Sequence, residues 1–390
     1  MLENREIVCI SSVDWEPLLT RKQQVMSRLP VSNRILYVEP PITLLSAFKD
    51  KSMWMKWTMW FKGRRRLKEN IWLWSPPVTL PFGNKYRWIN RFNQWWQSIF
   101  LKPVLKEMGF TNPILWTYMP NTADMTNEID HQVLIYDCVD EHSEYTGLIN
   151  KQTMLDMEED LCRACDLVFV TATGLYESKK DWNPQTHYLP NAANVEHFMK
   201  AQSPETVIPE DIRGIKGPVI GFVGVIQDWV DQELMYEAAV AHPEWSLVLV
   251  GPVGVGIDVS RLSGLPNVHF LGRKKVDDLP GYLKAFDVCL NPFRMNELTR
   301  NVSPLKFYEY LASGKPIVTV DMPGIRDFAD VVEVVSCREE FTAGIERALE
   351  GENEAKRTAR LSRARENSWE SRVRVMEEKI TAYMQKKGLQ

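Results

Sequence analysis

Twelve short apolar runs, rich in β-branched and aromatic residues, recur along this 390-residue chain with helical patterns between them, and few architectures accommodate that rhythm. Six fall in the first half, at 6–11, 34–39, 71–75, 113–118, 132–138 and 166–172, and six in the second, at 218–224, 245–251, 267–272, 287–292, 316–320 and 331–335. Strands spaced 15–30 residues apart, with helices in the gaps, require crossover connections and hence parallel sheets. Residues 200–217 are polar and carry Pro204, Pro209, Gly214 and Gly217, which reads as a linker. The expected architecture is α/β, with two doubly wound Rossmann-like domains facing a cleft. The first spans 1–199, with an insertion at 46–106; the second spans 218–366, and a C-terminal helix within 367–390 crosses back to the first.

Charge is spread unevenly. The net charge is −4, yet 46–106 holds thirteen Lys and Arg against two acids, Asp50 and Glu69, so this segment is strongly basic. It also holds eight of the fourteen tryptophans. Trp54, Trp57 and Trp60 recur at helical spacing beside Arg64, Arg65 and Arg66. Indole rings favour the headgroup layer, and each basic residue near an anionic leaflet adds about 1 kcal/mol. The chemistry predicts a helix docked on an anionic membrane surface; the alternatives are a core face with a solvated basic side, or a nucleic-acid patch. No nucleic-acid-binding motif accompanies it, and no nucleic acid is expected as partner. No stretch of 18 apolar residues occurs and the first residues lack a signal-peptide pattern, so the expected location is cytoplasmic, peripheral at the inner face of the cell membrane. Cys162 and Cys165 form a CxxC late in a helical pattern, which suits packing better than redox chemistry.

Parallel sheets bind ligands beyond the carboxyl ends of their strands. A dinucleotide site needs glycines after the first strand, and the segment 9–17 (CISSVDWEP) has none. Gly251, Gly254 and Gly256 form a turn in the wrong order for that fingerprint. The most informative block is 290–320. A strand ends near Asn291, a polar loop follows, Ser303-Pro304 opens a helix, and Gly314 closes it. Exposed N–H groups at such a helix start, with Lys306 one turn in, suit a diphosphate, and Glu309 suits the two hydroxyls of a ribose. An ordinary capped helix with surface Lys and Glu is the other reading of these residues alone.

Residues 309–318, Glu-Tyr-Leu-Ala-Ser-Gly-Lys-Pro-Ile-Val, resemble the donor-binding signature of GT-B glycosyltransferases of the family 4 type. That signature is Glu, seven residues, Glu, then a small residue, Gly and Pro. Glu309 matches the second glutamate, which in the family holds the ribose; Asn301 stands where the first is expected, with Asn296 and Glu297 as local substitutes. The segments 188–198, 222–231, 267–293 and 367–380 are similar to the family's interdomain segment, phosphate-facing loop, base-binding region and terminal helix. The stretches 11–29 and 136–147 resemble teichuronic acid and exopolysaccharide enzymes. The resemblance implies a GT-B fold and a donor site at Gly224, Arg273, Arg294, Ser303, Pro304, Leu305, Lys306 and Glu309. Arg294, Arg300 and Lys306 would neutralise the diphosphate, because the basic residues many relatives carry after the 222–231 loop are missing.

Asp137, Asp140, Glu141 and His142 cluster after the strand ending near Tyr136. Asp140 or His142 could orient or deprotonate an acceptor hydroxyl, with Asn301 as the third catalytic candidate. Trp15 and Arg21 are expected at the acceptor edge of the cleft. No D-x-D or His/Cys set suggests a metal site, and no cofactor is expected beyond the UDP- or GDP-linked substrate. The reading is sugar transfer from a nucleotide diphosphate sugar to a glycan or lipid-linked acceptor in cell-surface polysaccharide biosynthesis, with retention implied by the resemblance. A UDP-sugar epimerase of GT-B fold and a silent membrane-docked scaffold are the alternatives.

Overall fold

The structure, a computed structural model, describes residues 2–17, 20–49, 52–145 and 147–389, apart from the side chains of 47–49 and 52–55. It divides into two compact units: Met1–Pro190 with Val373–Gln390, and Asn191–Arg372.

The first unit is built on an eight-stranded sheet in the order β3-β4-β2-β1-β5-β6-β7-β8. Its strands are β1 (Glu6–Ile10), β2 (Arg34–Val38), β3 (Arg65–Arg66), β4 (Ile71–Trp74), β5 (Ile114–Thr117), β6 (Val133–Cys138), β7 (Leu167–Val170) and β8 (Thr186–Tyr188). All neighbours are parallel except β3 against β4. The strands β5, β6 and β7 are buried at every residue, as expected where helices cover both faces of a parallel sheet. Trp116 in β5 is fully buried, and truncating it to Ala would cost about 3–5 kcal/mol.

The second unit carries a six-stranded parallel sheet, β11-β10-β9-β12-β13-β14. Its strands are β9 (Val219–Val223), β10 (Ser246–Val250), β11 (Val268–Gly272), β12 (Val288–Asn291), β13 (Ile317–Val320) and β14 (Glu333–Val335). Every expected strand is present; the two-residue β3 and three-residue β8 were too short to leave a periodic signal.

Two boundaries differ from the sequence reading. Residues 200–217 are no free linker: Ala201 and Ile212 are buried in the core of the second unit, and Tyr282 donates to Asp211. The division falls instead after Pro190, inside the 188–198 segment, and Val373–Gln390 of the terminal helix Trp369–Lys387 groups with the first unit.

Candidate functional site

In the second unit the strand order reverses between β9 and β12, and a doubly wound sheet opens its binding crevice at that point. The loops leaving these two strands are zipped together: Asp231 N–H donates to Pro292 O at 2.7 Å and Arg294 N–H to Trp229 O at 2.8 Å. The glycine turn after β10 is part of the same construction. Gly251 has φ +149°, and a Cβ there would stand 1.8 Å from Gly224 O, so only glycine lets the two loops approach. This turn is therefore a packing element, which its order of glycines alone did not decide.

The helix expected after this loop runs Leu305–Ser313 and closes on Gly314 in the left-handed conformation, φ +71°. Its N-cap is Pro304, not Ser303, and no side chain caps it. Ser303 is committed elsewhere: its Oγ accepts from Asn191 N–H at 3.0 Å, and its carbonyl accepts from Asn191 Nδ2 at 2.7 Å. Lys306 and the buried Glu309 form an ion pair at 2.6 Å, one turn apart. Arg294 is half exposed and 3.9 Å from Asp231; Arg273 lies exposed after β11; Leu305 and Gly224 are half-buried. Arg300 is exposed, with Glu297 3.9 Å away. Asn301 ends the short Glu297–Arg300 helix, donating Nδ2 to Glu297 O at 3.1 Å, so its amide serves the backbone and offers no carboxylate. Beyond the ends of β12, β13 and β14 lies a cavity of about 500 Å³. Arg300, Arg326, Arg338, Asp231 and Asp321 line it, whereas Lys306 and Glu309 do not.

The catalytic candidates of the first unit stand after β6. Asp140 is half-buried; His142 is buried, its ring edge-on to Tyr145 at 5.5 Å and its Nε2 without a hydrogen-bond partner. Burial lowers the pKa of His142 against the opposing pull of Glu158 and Asp140, which keeps the imidazole neutral. Glu141 turns inward to Lys179, at 3.3 Å, and Lys179 also reaches Glu158 at 3.1 Å. Arg21 and Trp15 are not surface groups. Arg21 begins the Arg21–Met26 helix, is 3% exposed, and donates Nε to both oxygens of the fully buried Asp137 at 3.0 Å. Trp15 packs edge-on against Tyr37 at 4.9 Å. Lys22, missed in the sequence, is buried over the Tyr118 ring, its pKa lowered by burial against Asp140 and Asp137. Its place beside Arg21 on a short helix held no distinguishing pattern.

The basic, tryptophan-rich segment is rearranged relative to expectation. Helices form at Ser52–Met59 and Trp60–Lys62, but Trp57 and Trp60 are half-buried, and the side chain of Trp54 lies outside the described residues. Trp60 meets Phe100 edge-on at 5.2 Å. Arg64 pairs with Glu107 at 3.0 Å, Arg65 with Glu39 at 2.7 Å, and Arg66 donates to Glu69 O at 2.8 Å. The exposed aromatic stripe belongs to the Arg87–Glu107 helix: Trp88, Phe92, Trp95 and Ile99, at 68, 44, 46 and 39% exposure. Neither CxxC thiol is exposed, and burial pushes both pKa values up, which leaves them unreactive. Among the described residues no cluster of three His, Cys, Asp or Glu could hold a metal, and no helix is long and apolar enough to cross a membrane.

Two doubly wound sheets on one chain, the second with an uncapped helix start following the strand at its switch point, define the GT-B fold. Residues 217–351 match the family described as Glycosyl transferases group 1, and the chain as a whole has the GT-B fold. Among curated proteins it is 28% identical over 223 residues to TuaH of Bacillus subtilis (strain 168), named as a putative teichuronic acid biosynthesis glycosyltransferase. That match covers 54% of this chain and about half of the relative, 55%. Solved structures similar over nearly the whole chain include sucrose-phosphate synthase from Thermosynechococcus elongatus, with TM-score 0.70, 16% identity, and 99 and 100% of the two chains covered. Anabaena HepE in complex with UDP and glucose aligns with TM-score 0.66, 14% identity and 97 and 100% coverage. The E. coli trehalose-6-phosphate protein bound with UDP-2-fluoro glucose aligns with TM-score 0.67, 13% identity and 97 and 99% coverage. At these identities the likeness is one of fold.

Proposed function

We propose that this chain is a glycosyltransferase that moves a sugar from a UDP- or GDP-linked donor to a glycan or lipid-linked acceptor in cell-surface polysaccharide biosynthesis. The observation that carries the reading is the Lys306–Glu309 pair on a helix whose start no side chain caps. The first-turn N–H groups, which no side chain caps, and the positive end of the helix dipole favour a diphosphate there, and Lys306 adds a full charge. A diphosphate drawing Lys306 away would free the Glu309 carboxylate to accept ribose hydroxyls. Two of the solved structures alike in fold hold UDP-linked or UDP ligands, which supports the same donor class. Helix dipole and basic side chains would stabilise the departing diphosphate without a metal. Asp140, beside the neutral His142, is the group proposed to orient the acceptor hydroxyl. Retention of configuration rests on the family resemblance.

An anionic leaflet at the inner face of the cell membrane is the proposed docking partner, now through the Trp88–Ile99 stripe, with exposed Arg91 and Lys102 on the same helix. Calorimetric titration with UDP and GDP tests the donor site: binding is expected in the native chain and loss of it in Lys306→Ala and Glu309→Ala. Label from a nucleotide sugar should pass to a lipid extract. Release of free sugar instead would favour the epimerase, and binding without turnover the scaffold.

A further inference from the structure

The Arg87–Glu107 helix buries Leu101 and Leu105 in the core of the first unit at its C-terminal end, but its N-terminal half is largely inside out. Its buried face carries Asn90, Asn93, Gln94 and Gln97, at the i, i+3, i+4, i+7 spacing that normally marks an apolar stripe, while Trp88, Phe92, Trp95 and Ile99 point outward. Buried amides are costly unless they find partners, so a helix turned this way needs something polar beneath it.

What lies beneath is a cavity of about 280 Å³. It opens at the carboxyl ends of β1, β2 and β5, and the strand order of the first unit reverses between β1 and β5. A doubly wound sheet binds its ligands at that place. Six amide side chains line it: Asn84, Asn90, Asn93, Gln94, Gln97 and Asn121. Hydrogen bonds fix most of them in place. Asn93 both accepts from and donates to the Leu80 backbone at 2.9 Å, Asn121 Nδ2 reaches Asn84 Oδ1 at 3.0 Å, and Asn90 Nδ2 reaches Asn121 O at 2.7 Å. Gln94 donates Nε2 to Asn90 Oδ1 at 3.3 Å, but its Oε1, on a residue only 4% exposed, accepts no hydrogen bond. Among the described residues no charged side chain lines the cavity; Asp124, which accepts from Asn90, is held by Arg87 and Arg91. Pro40, Pro81 and Phe82 supply apolar wall.

We infer that this cavity binds an uncharged, hydroxyl-rich ring, a neutral sugar residue, and selects against uronic acids. Amides offer a donor and an acceptor on one rigid plane, which matches vicinal hydroxyls, and Gln94, a residue of the lining, keeps a buried Oε1 without a partner that a small side-chain rotation would turn to a hydroxyl. A carboxylate entering the site would shed its hydration and meet no cation. The sugar's C–H face would lie on the proline and phenylalanine surface. Assigning this ring to the acceptor rests on the transferase reading; its binding does not.

Saturation-transfer NMR on the full chain, with the methyl glycosides of glucose, galactose, N-acetylglucosamine and glucuronic acid, tests the inference. At least one neutral glycoside should receive saturation, and the glucuronide should receive none. Gln94→Leu should weaken the neutral signal at least tenfold while UDP binding stays unchanged. Ser12→Tyr, filling the cavity from a half-buried rim position, should do the same and covers the case of Gln94→Leu failing to fold. Saturation of the glucuronide equal to that of the neutral sugars, neutral signals unmoved in both variants, or no signal from any glycoside would overturn the proposal. Glycosides bound without UDP would end the transferase reading and leave this one; UDP bound without glycosides would do the reverse.

Discussion

Both units place a cavity beyond the carboxyl ends of parallel strands, yet they line it with opposite chemistry. In the first unit the lining is amide, hydroxyl and proline, and the charges of the neighbourhood are buried in pairs: Arg21 with Asp137, and Lys179 with Glu141 and Glu158. In the second unit Arg300, Arg326 and Arg338 remain exposed around the cavity, and Lys306 stands half-buried at a helix start. One topology thus supplies two kinds of reader. Buried ion pairs hold a backbone in place, whereas exposed pairs, such as Arg326 with Asp321 and Arg338 with Glu237, lie where an anion can compete for the cation. Substitution of charges should therefore damage stability in one unit and binding in the other.

The largest effect is expected at Asp137. It is fully buried against Arg21, and Asp137→Ala would leave the guanidinium uncompensated, at a cost of about 3–5 kcal/mol. Urea unfolding should show this loss. A midpoint that barely moves would mean that charge in the first unit is not structural, and the contrast would collapse. Next in size is Lys306→Ala. Charge-assisted hydrogen bonds contribute about 1.5–3 kcal/mol, so affinity for UDP should fall roughly ten- to hundredfold, with a smaller loss of stability than in Asp137→Ala because Lys306 is half-buried. A stability loss without a binding loss would reassign the Lys306–Glu309 pair to the fold.

How far the sequence disclosed this contrast depends on the kind of signal each residue leaves. Most of the twelve strands were legible because parallel strands buried on both faces are unbroken apolar runs, and the Leu305–Ser313 helix because Pro304 and Gly314 punctuate it. Arg21 and Trp15 misled, since a residue's distance along the chain from a strand end does not say whether its side chain turns inward. The tryptophans misled differently. Spacing marks which rings share a face, but only packing decides which face is covered, and Trp60 is taken up by Phe61 and Phe100 while Trp88 is not. The amide stripe from Asn90 to Gln97 was present in the sequence at full helical period. It went unread because periodicity is ordinarily sought among apolar residues.

The inverted helix gives the third test. Trp88 and Trp95 are exposed by about half or more, and each should bury roughly 1 kcal/mol of apolar surface in a leaflet. Replacing both by Ala, a loss of about 2 kcal/mol, should lower binding to phosphatidylglycerol vesicles about thirtyfold, since 1.4 kcal/mol is a factor of about ten. Replacing Trp57 and Trp60 should change it about twofold or less, their rings being half-covered already. Equal losses from the two pairs would return the docking surface to the first helix of the insertion.

The smallest effect concerns His142 and separates the two units by pH. Burial lowers its folded pKa below the ordinary value of 6.5, so the neutral ring is favoured in the native state. Below pH 6.5 the unfolded chain takes up a proton that the folded chain refuses, and stability contributed by the neutral ring is lost as the pH falls. His187, half-buried in the same unit and lowered by burial and by Lys379, acts in the same direction. Between pH 7.5 and 5.5 ordinary carboxylates stay ionised, so this window isolates the imidazoles. Chemical unfolding at the two pH values should show the native chain losing stability and His142→Gln losing less. Parallel losses in both would mean that the ring is reached by water, and with it the closed, neutral environment assigned to the first unit's strand ends would have to be abandoned.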